Sequence, residues 1–257
     1  MAFRFASLGS GSRGNATLIE AGATRILVDC GFPAREFVAR CEHLGFDPER
    51  LSAILVTHEH GDHIRGVGAV ARRFKLPVWL SPGTWRGGRF GAIAELNHFA
   101  SHDAGFELGE LFVQPVPVPH DACEPTQFVF RHGGTALGLL TDLGSITPRI
   151  VDAFDGVDAL LLECNHDPDL LADGPYPPSL QARVGGRYGH LANGQAAAFL
   201  REIDHARLRH LVAGHLSAQN NCPSRARAAL EQVADDLSGR LSMLLQDEIS
   251  DWFPILD

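Results

Sequence analysis

Apolar residues in this chain fall mostly in short runs bounded by glycine, proline or polar clusters, the pattern of strands joined by turns and loops. Runs at 3–8, 16–20 and 24–29 predict three strands joined by tight turns. Pro33 opens an amphipathic helical segment that continues to about residue 44. The run Ala53-Ile54-Leu55-Val56 predicts a short buried strand, and a helical spacing of apolar positions over 64–74 follows it closely. Another strand is predicted at 77–80. Residues 81–103 are glycine-rich, with one helix-compatible stretch at 82–85. Strands are predicted over 106–118, followed by a hairpin of 127–131 and 135–141 around His132-Gly133-Gly134. The rest alternates, with helices at 147–154, 194–203 and 224–237, strands at 159–163 and 208–213, and a proline-rich surface loop at 167–178. This order defines an α/β (α+β) class, and no fixed-period repeat or low-complexity linker divides the chain.

The 257 residues allow one large domain with a well-buried core, and 1–257 is read as a single domain. Five scattered cysteines without a C-x-x-C pair point to reduced thiols rather than a disulfide framework, and hence to a cytoplasmic setting. No apolar run approaches the roughly 20 residues of a membrane span, so no membrane partner is expected. A net charge of -9 does not advertise a nucleic-acid binder. It does not exclude one, because the basic residues are 21 arginines and the single Lys75, and arginine suits bidentate phosphate contacts.

The chemistry concentrates directly after the strand at 53–56. Thr57-His58-Glu59-His60-Gly61-Asp62-His63 places four metal-ligand side chains on a strand-to-helix turn. Residues two apart in an extended segment share a side, so His58 and His60 can reach one ion together. Gly61 permits a sharp turn, after which Asp62 and His63 can face a second ion. Imidazole and carboxylate donors suit zinc, manganese or iron, and the lack of nearby thiolates argues against a closed structural zinc site. Upstream, Gly9-Ser10-Gly11-Ser12-Arg13-Gly14-Asn15 follows a strand. Such a loop is compatible with an anion cradle or with a plain hairpin turn, and Ser10, Ser12, Arg13 and Asn15 are its candidate substrate-binding residues.

Thr-His-Glu-His-Gly-Asp-His resembles the HxHxDH signature of the metallo-β-lactamase superfamily. The resemblance implies a four-layer αββα sandwich and a hydrolase with two divalent metal ions. His120, Asp142 and His215 resemble the later motifs of that superfamily in order and context. The implied arrangement puts His58, His60 and His120 on one ion and Asp62, His63 and His215 on the other, with Asp142 bridging. Asp29 is implied to support the ligand loop from behind.

A further set of motifs narrows the resemblance. Glu163-Cys164-Asn165-His166-Asp167, Gly189-His190-Leu191-Ala192-Asn193-Gly194-Gln195-Ala196-Ala197 and His215-Leu216-Ser217 are similar to the catalytic core of the tRNA 3′-processing endonucleases. Together with Leu8 to Asn15, Gly174-Pro175-Tyr176-Pro177 and Asn220-Asn221, they resemble the YycJ/WalJ-like branch, described as exonucleases acting on DNA from 5′ ends. Ala192 departs from that pattern, where a serine is expected. The resemblance therefore implies a phosphodiesterase with a DNA substrate, with His190 as general acid and Glu163 orienting it. His166 is the alternative acid or a third-ion ligand. An RNA-processing nuclease, a small-molecule thioesterase or lactonase, and a metal-binding protein without catalysis are the competing readings.

Overall fold

Side chains along a strand alternate between the two faces of its sheet, and the apolar residues of this chain divide by that parity among three separate clusters. The computed structural model describes residues 2–102, 104–233 and 235–256. One sheet runs, edge to edge, β14 (Phe253–Leu256), β1 (Phe3–Gly9), β2 (Ala16–Ala21), β3 (Thr24–Val28), β4 (Ala53–Leu55), β5 (Val78–Leu80) and β6 (Leu96–His98). The other runs β13 (Leu241–Met243), β12 (His210–Gly214), β11 (Ala159–Glu163), β10 (Thr135–Leu140), β9 (Thr126–His132), β8 (Leu111–Pro117) and β7 (Phe106–Leu108).

Phe3 and Phe5 of β1, Ile26 and Val28 of β3, Leu137 and Leu139 of β10, and Leu161 of β11 meet in the space between the sheets. Their neighbours Leu8, Leu27 and Ile54 turn outward to pack under α1 (Ala34–Leu44), α2 (Gly61–Ile64) and α3 (Val67–Phe74), and Trp85 of α4 (Pro82–Gly87) packs against the same cluster. On the far side, Ala136, Leu140, Leu160, Leu162, Leu211 and Ala213 pack under α5 (Pro148–Phe154), α8 (Asn193–Glu202) and α9 (Pro223–Glu231). Helix, sheet, sheet and helix make the four-layer αββα sandwich. Strands buried on both faces have no polar side to show, which is why they appear in the sequence as unbroken apolar runs.

Each sheet is antiparallel on one side and parallel on the other. The change falls at β3, which pairs antiparallel with β2 and parallel with β4, and at β10, which pairs antiparallel with β9 and parallel with β11. The C-terminal ends of β3, β4, β10, β11 and β12 lead into Asp29, Thr57-His58, Asp142, Glu163 and His215. Ligand sites of α/β sheets lie beyond the carboxyl ends of strands, and here both sheets bring those ends together.

Three expectations change. The helix expected over 64–74 is two helices, because the chain passes too close to its neighbours at Gly66. The Gly66 N–H donates to Cys30 O at 2.7 Å, and a Cβ there would lie 1.9 Å from Phe32 O. The proline-rich segment expected as a loop contains α6 (Pro168–Asp173) and leads into α7 (Pro178–Val184). Asp167 caps α6 by accepting from the N–H groups of Asp169 and Leu170, and prolines occupy the first turns of both helices, where a missing N–H costs nothing. The helix expected over 224–237 ends at Glu231; residue 234 lies outside the described residues, as does residue 103 of the glycine-rich stretch. Strands β13 and β14, at the outer edges of the two sheets, were not anticipated from the sequence. No helix among the described residues is long and apolar enough to cross a membrane.

Candidate metal centre

Asp29, Asp142 and His215 adopt left-handed backbone conformations, with φ of 59°, 54° and 54°. Such a conformation costs a non-glycine residue on the order of 1–3 kcal/mol and concentrates at functional sites. All three stand at or just past strand ends, where the reversal aims their side chains across the ends of the sheets. Lys75, the other non-glycine with positive φ among the described residues, simply caps α3.

Each imidazole of the cluster has one nitrogen committed to a protein acceptor. His63 Nδ1 donates to Asp29 Oδ2 at 2.8 Å. Asp29 also accepts from Thr57 N and from the Thr57 hydroxyl, at 2.9 and 2.7 Å. Because that hydroxyl donates to Asp29, its oxygen accepts from His58 Nδ1 at 3.0 Å. His120 Nδ1 donates to Gly189 O at 3.0 Å, and His60 Nε2 to Asp121 O at 3.3 Å. His215 Nδ1 donates to Glu163 Oε1 at 2.7 Å. These partners fix ring orientation and tautomer, the usual role of groups behind a metal ligand.

The opposite nitrogens converge. His58, His60 and His120 each bring a ligand atom within 4.8 Å of the others, and so do Asp62, His63 and His215. His58, His63 and Asp142 form a third such set between them. His58 Nε2, His215 Nε2 and Asp142 Oδ2 are buried and have no hydrogen-bond partner among the described residues. A buried, unpaired polar atom costs roughly 1–3 kcal/mol, and these three, each a member of one of the converging sets, fit divalent cations that would satisfy them. The donor set of imidazoles and carboxylates agrees.

The charges follow from the same contacts. Burial holds His58 well below the usual imidazole range, helped by the neighbouring His63. Burial also lowers His120. His63 is raised well above that range, since Asp142, Asp62 and Asp29 outweigh its burial. For Asp142, burial is overcome by His215 and His63, which hold the carboxyl well below its usual range.

Glu163 is fully buried and accepts five hydrogen bonds, from the N–H groups of Asp142, Leu143 and Leu191 and from His190 and His215. Against its burial, His190 and His215 lower it to about 2. His190 Nδ1 donates to Glu163 Oε1 at 2.9 Å and stands 3.8 Å from Asp142 Oδ1. Burial opposes its charge, but Glu163 and then Asp142 push it up to about 9. The chain can pass close enough to α7 to deliver His190 because residue 189 is glycine: a Cβ there would lie 2.2 Å from the carbonyl oxygens of both Arg183 and Val184. A cavity of about 380 Å³ opens over this cluster, lined by His60, Asp62, Asp142, His190 and His215 among others.

The remaining sequence candidates are divided. Ser12 lines the cavity. Asn15 Nδ2 lies 3.0 Å from His63 Nε2 and 3.4 Å from Asp62 Oδ2, inside the cluster. Ser10 is buried, and its hydroxyl accepts the His215 N–H at 2.8 Å, so it braces the backbone at His215 instead of facing a substrate. The Arg13 guanidinium is paired with Asp247 on the surface. His166 is not brought to the cluster: it is buried beside Pro168, Leu171 and Ala192 and lines a separate groove. Sequence reasoning missed Thr57, Asp121 and Arg183. Thr57 opens the histidine run and could have been found there, whereas the pairing of Arg183 with Asp121 has no local signal.

This fold and this cluster are those of the metallo-β-lactamase superfamily, metal-dependent hydrolases that hold divalent cations, and the chain belongs to it. A family profile described as a Beta-lactamase superfamily domain matches residues 24–215. Within the superfamily the chain falls in the YycJ/WalJ-like branch. It is 33% identical over 244 residues to Exodeoxyribonuclease YycJ of Bacillus anthracis, covering 92% of this chain and 90% of that protein. It is 31% identical over 239 residues to Exodeoxyribonuclease WalJ of Streptococcus pneumoniae, covering 89% and 87%. Among solved structures, the metallo-beta-lactamase fold protein YhfI from Bacillus subtilis superposes with a TM-score of 0.73 at 16% identity, covering 97% of this chain and 99% of that one. That likeness shows the fold.

Proposed function

We propose that this chain is a two-metal phosphodiesterase, acting as one domain, that degrades DNA from 5′ ends. We assign His58, His60 and His120 to one ion and Asp62, His63 and His215 to the other, with Asp142 between them. Zinc or manganese suits this donor set, and iron is also compatible with it. Bound there, such ions would make water a nucleophile at neutral pH and would stabilise charge on phosphate oxygens.

The observation that carries the reading is His190. It lines the cavity beside the proposed ligands and is held through Nδ1 by Glu163, which leaves Nε2 for substrate. Glu163, and after it Asp142, favours the protonated ring against the penalty of its burial. Protonation of the departing 3′ oxygen by such a group is worth roughly 10²–10⁴-fold. The products are then a 5′ phosphate and a 3′ hydroxyl. DNA as the substrate is supported by the names of the relatives, both exodeoxyribonucleases.

The test is turnover of 5′-labelled duplex DNA, single-stranded DNA, RNA and a thioester in parallel, with Zn²⁺ or Mn²⁺ added. DNA shortened from its 5′ end is the expected result. Faster turnover of RNA would make the chain an RNA-processing nuclease, and preference for the thioester would overturn the phosphodiesterase reading.

A further inference from the structure

The part of the segment between β11 and α8 that runs from Tyr176 to Val184 frames one wall of the cavity, and none of its side chains is among the proposed metal ligands. Tyr176, Leu180, Arg183 and Val184 from this segment all line the cavity. Leu180 and Val184 are four apart on α7 and so share a face, with Arg183 beside them. The wall is therefore apolar and aromatic with one cation, facing a floor of carboxylates and imidazoles. A volume of about 380 Å³ is that of a pocket for one small molecule. It suits a single nucleotide taken out of its stack.

Arg183 is the arginine among the residues lining this cavity. Its Nε donates to Asp121 Oδ2 at 2.5 Å, and its side chain remains 61% exposed. That contact uses one edge of the guanidinium and leaves other N–H donors free to meet a phosphate. Asp121 in turn accepts through its backbone oxygen from His60, so Arg183 is tied to the cluster by a chain of two contacts.

Five residues on from Arg183 stands Tyr188, 55% exposed, the exposed large hydrophobic side chain among the described residues. The Arg187 guanidinium lies 5.8 Å from its ring centroid. The pair is fixed to the site through its backbone. Tyr188 O accepts from Asp121 N at 3.0 Å, and the next residue, Gly189, lines the cavity and holds His120. An aromatic face kept in solvent next to arginine is the chemistry that binds unpaired bases. In a chain with net charge -9, its place beside the cluster calls for a ligand.

Resting on the nuclease reading, we propose that the segment from Tyr176 to Tyr188 is a single-strand binding track. Arg183 holds a backbone phosphate next to the cleavage site, and Tyr188 with Arg187 stacks an unpaired base outside the cavity. The substrate class is thus a DNA end with unpaired nucleotides, and a fully paired end must open first.

The test measures binding of fluorescein-labelled, nuclease-resistant phosphorothioate single-stranded DNA to the metal-loaded protein by anisotropy, with a matching duplex alongside. Melting curves confirm that each variant is folded. Tyr188→Ala should weaken single-strand binding about 5- to 150-fold, the range for one stacked base, and Tyr188→Phe should restore it. Arg183→Gln should weaken binding and reduce the salt slope by about 0.7, the value for one phosphate contact on a single strand. Unchanged binding in Tyr188→Ala and Arg183→Gln would overturn the track, as would duplex bound as tightly as single strand by the wild type; DNA hydrolysis by that same wild type would leave the nuclease reading standing. Single strand bound through these residues but never cut would overturn the nuclease reading and keep the track.

Discussion

Glu163 Oε1 accepts from both His190 Nδ1, at 2.9 Å, and His215 Nδ1, at 2.7 Å. One oxygen therefore orients the proposed general acid and a proposed metal ligand together, and these two functions should fail together when it is changed. Glu163→Gln keeps the shape but removes the charge, and its amide cannot replace a carboxylate that accepts from five donors. Loss of a group behind a metal ligand costs about 10–100-fold in metal affinity or activity. We expect a loss of that size in activity, accompanied by weaker metal retention on dialysis. Loss of activity at full metal occupancy would show that Glu163 serves His190 alone.

Metal content follows from the unpaired atoms. His58 Nε2 lies in one proposed ion site, His215 Nε2 in the other, and Asp142 Oδ2 between them. The purified protein, titrated with Mn²⁺ or Zn²⁺, should saturate near two ions per chain by elemental analysis. Chelation should lower the melting temperature, since a ligand at a hundredfold its dissociation constant contributes about 2.7 kcal/mol per site. Saturation at one ion would remove the bridging role of Asp142.

The parts of this site that were legible in the sequence are the local ones. His58, His60, Asp62 and His63 lie in one run, so their convergence needs only a strand end and a turn. Asp142 and His215 stood out because each follows an apolar strand, a context that resemblance to the superfamily made specific. What stayed hidden rests on contacts between distant segments. The Ser10 hydroxyl meets the His215 N–H across 205 positions, and nothing near Ser10 distinguishes a brace from a substrate contact. Arg183 meets Asp121 across 62 positions. The fold shows the same division. Strands buried on both faces announce themselves, whereas α6 and α7, at 6 and 7 residues, are too short for periodicity. Their prolines mark helix starts as readily as loops.

The cysteines give a separate test of the packing. Burial pushes the thiols of Cys30 and Cys164 far up, and that of Cys41 up to about 12. The exposed Cys123 is raised by its hydrogen bond with Glu59, while the Ser224 hydroxyl near Cys222 lowers that thiol. Since the thiolate is the nucleophile, a lowered pKa means reaction at lower pH. Iodoacetamide should modify Cys222 first and Cys123 second in the native protein, and the other three only after denaturation. The rate at Cys222 should level off at a lower pH than the rate at Cys123. Rapid native labelling of Cys30 or Cys164, read by peptide mass spectrometry, would contradict their burial.

The last prediction separates His190 from its neighbour His215, two rings held by the same carboxylate. His215 is assigned to an ion, so His215→Ala should lower metal occupancy and activity together. His190 is assigned to protonation of the departing 3′ oxygen, so His190→Ala should retain both ions and melt close to wild type in the metal-loaded state. Its kcat on DNA should nevertheless fall by about two to four orders of magnitude, the full contribution of a general acid. A p-nitrophenyl phosphodiester has a leaving group that needs no proton, and the variant should hydrolyse it nearly as well as wild type does. The contrast between the two substrates is the readout, because a merely structural histidine would slow both. An equal loss on both, or a loss of metal, would remove His190 from the acid role. His166 would not inherit it, since it lines a different groove from His60, Asp142 and His215.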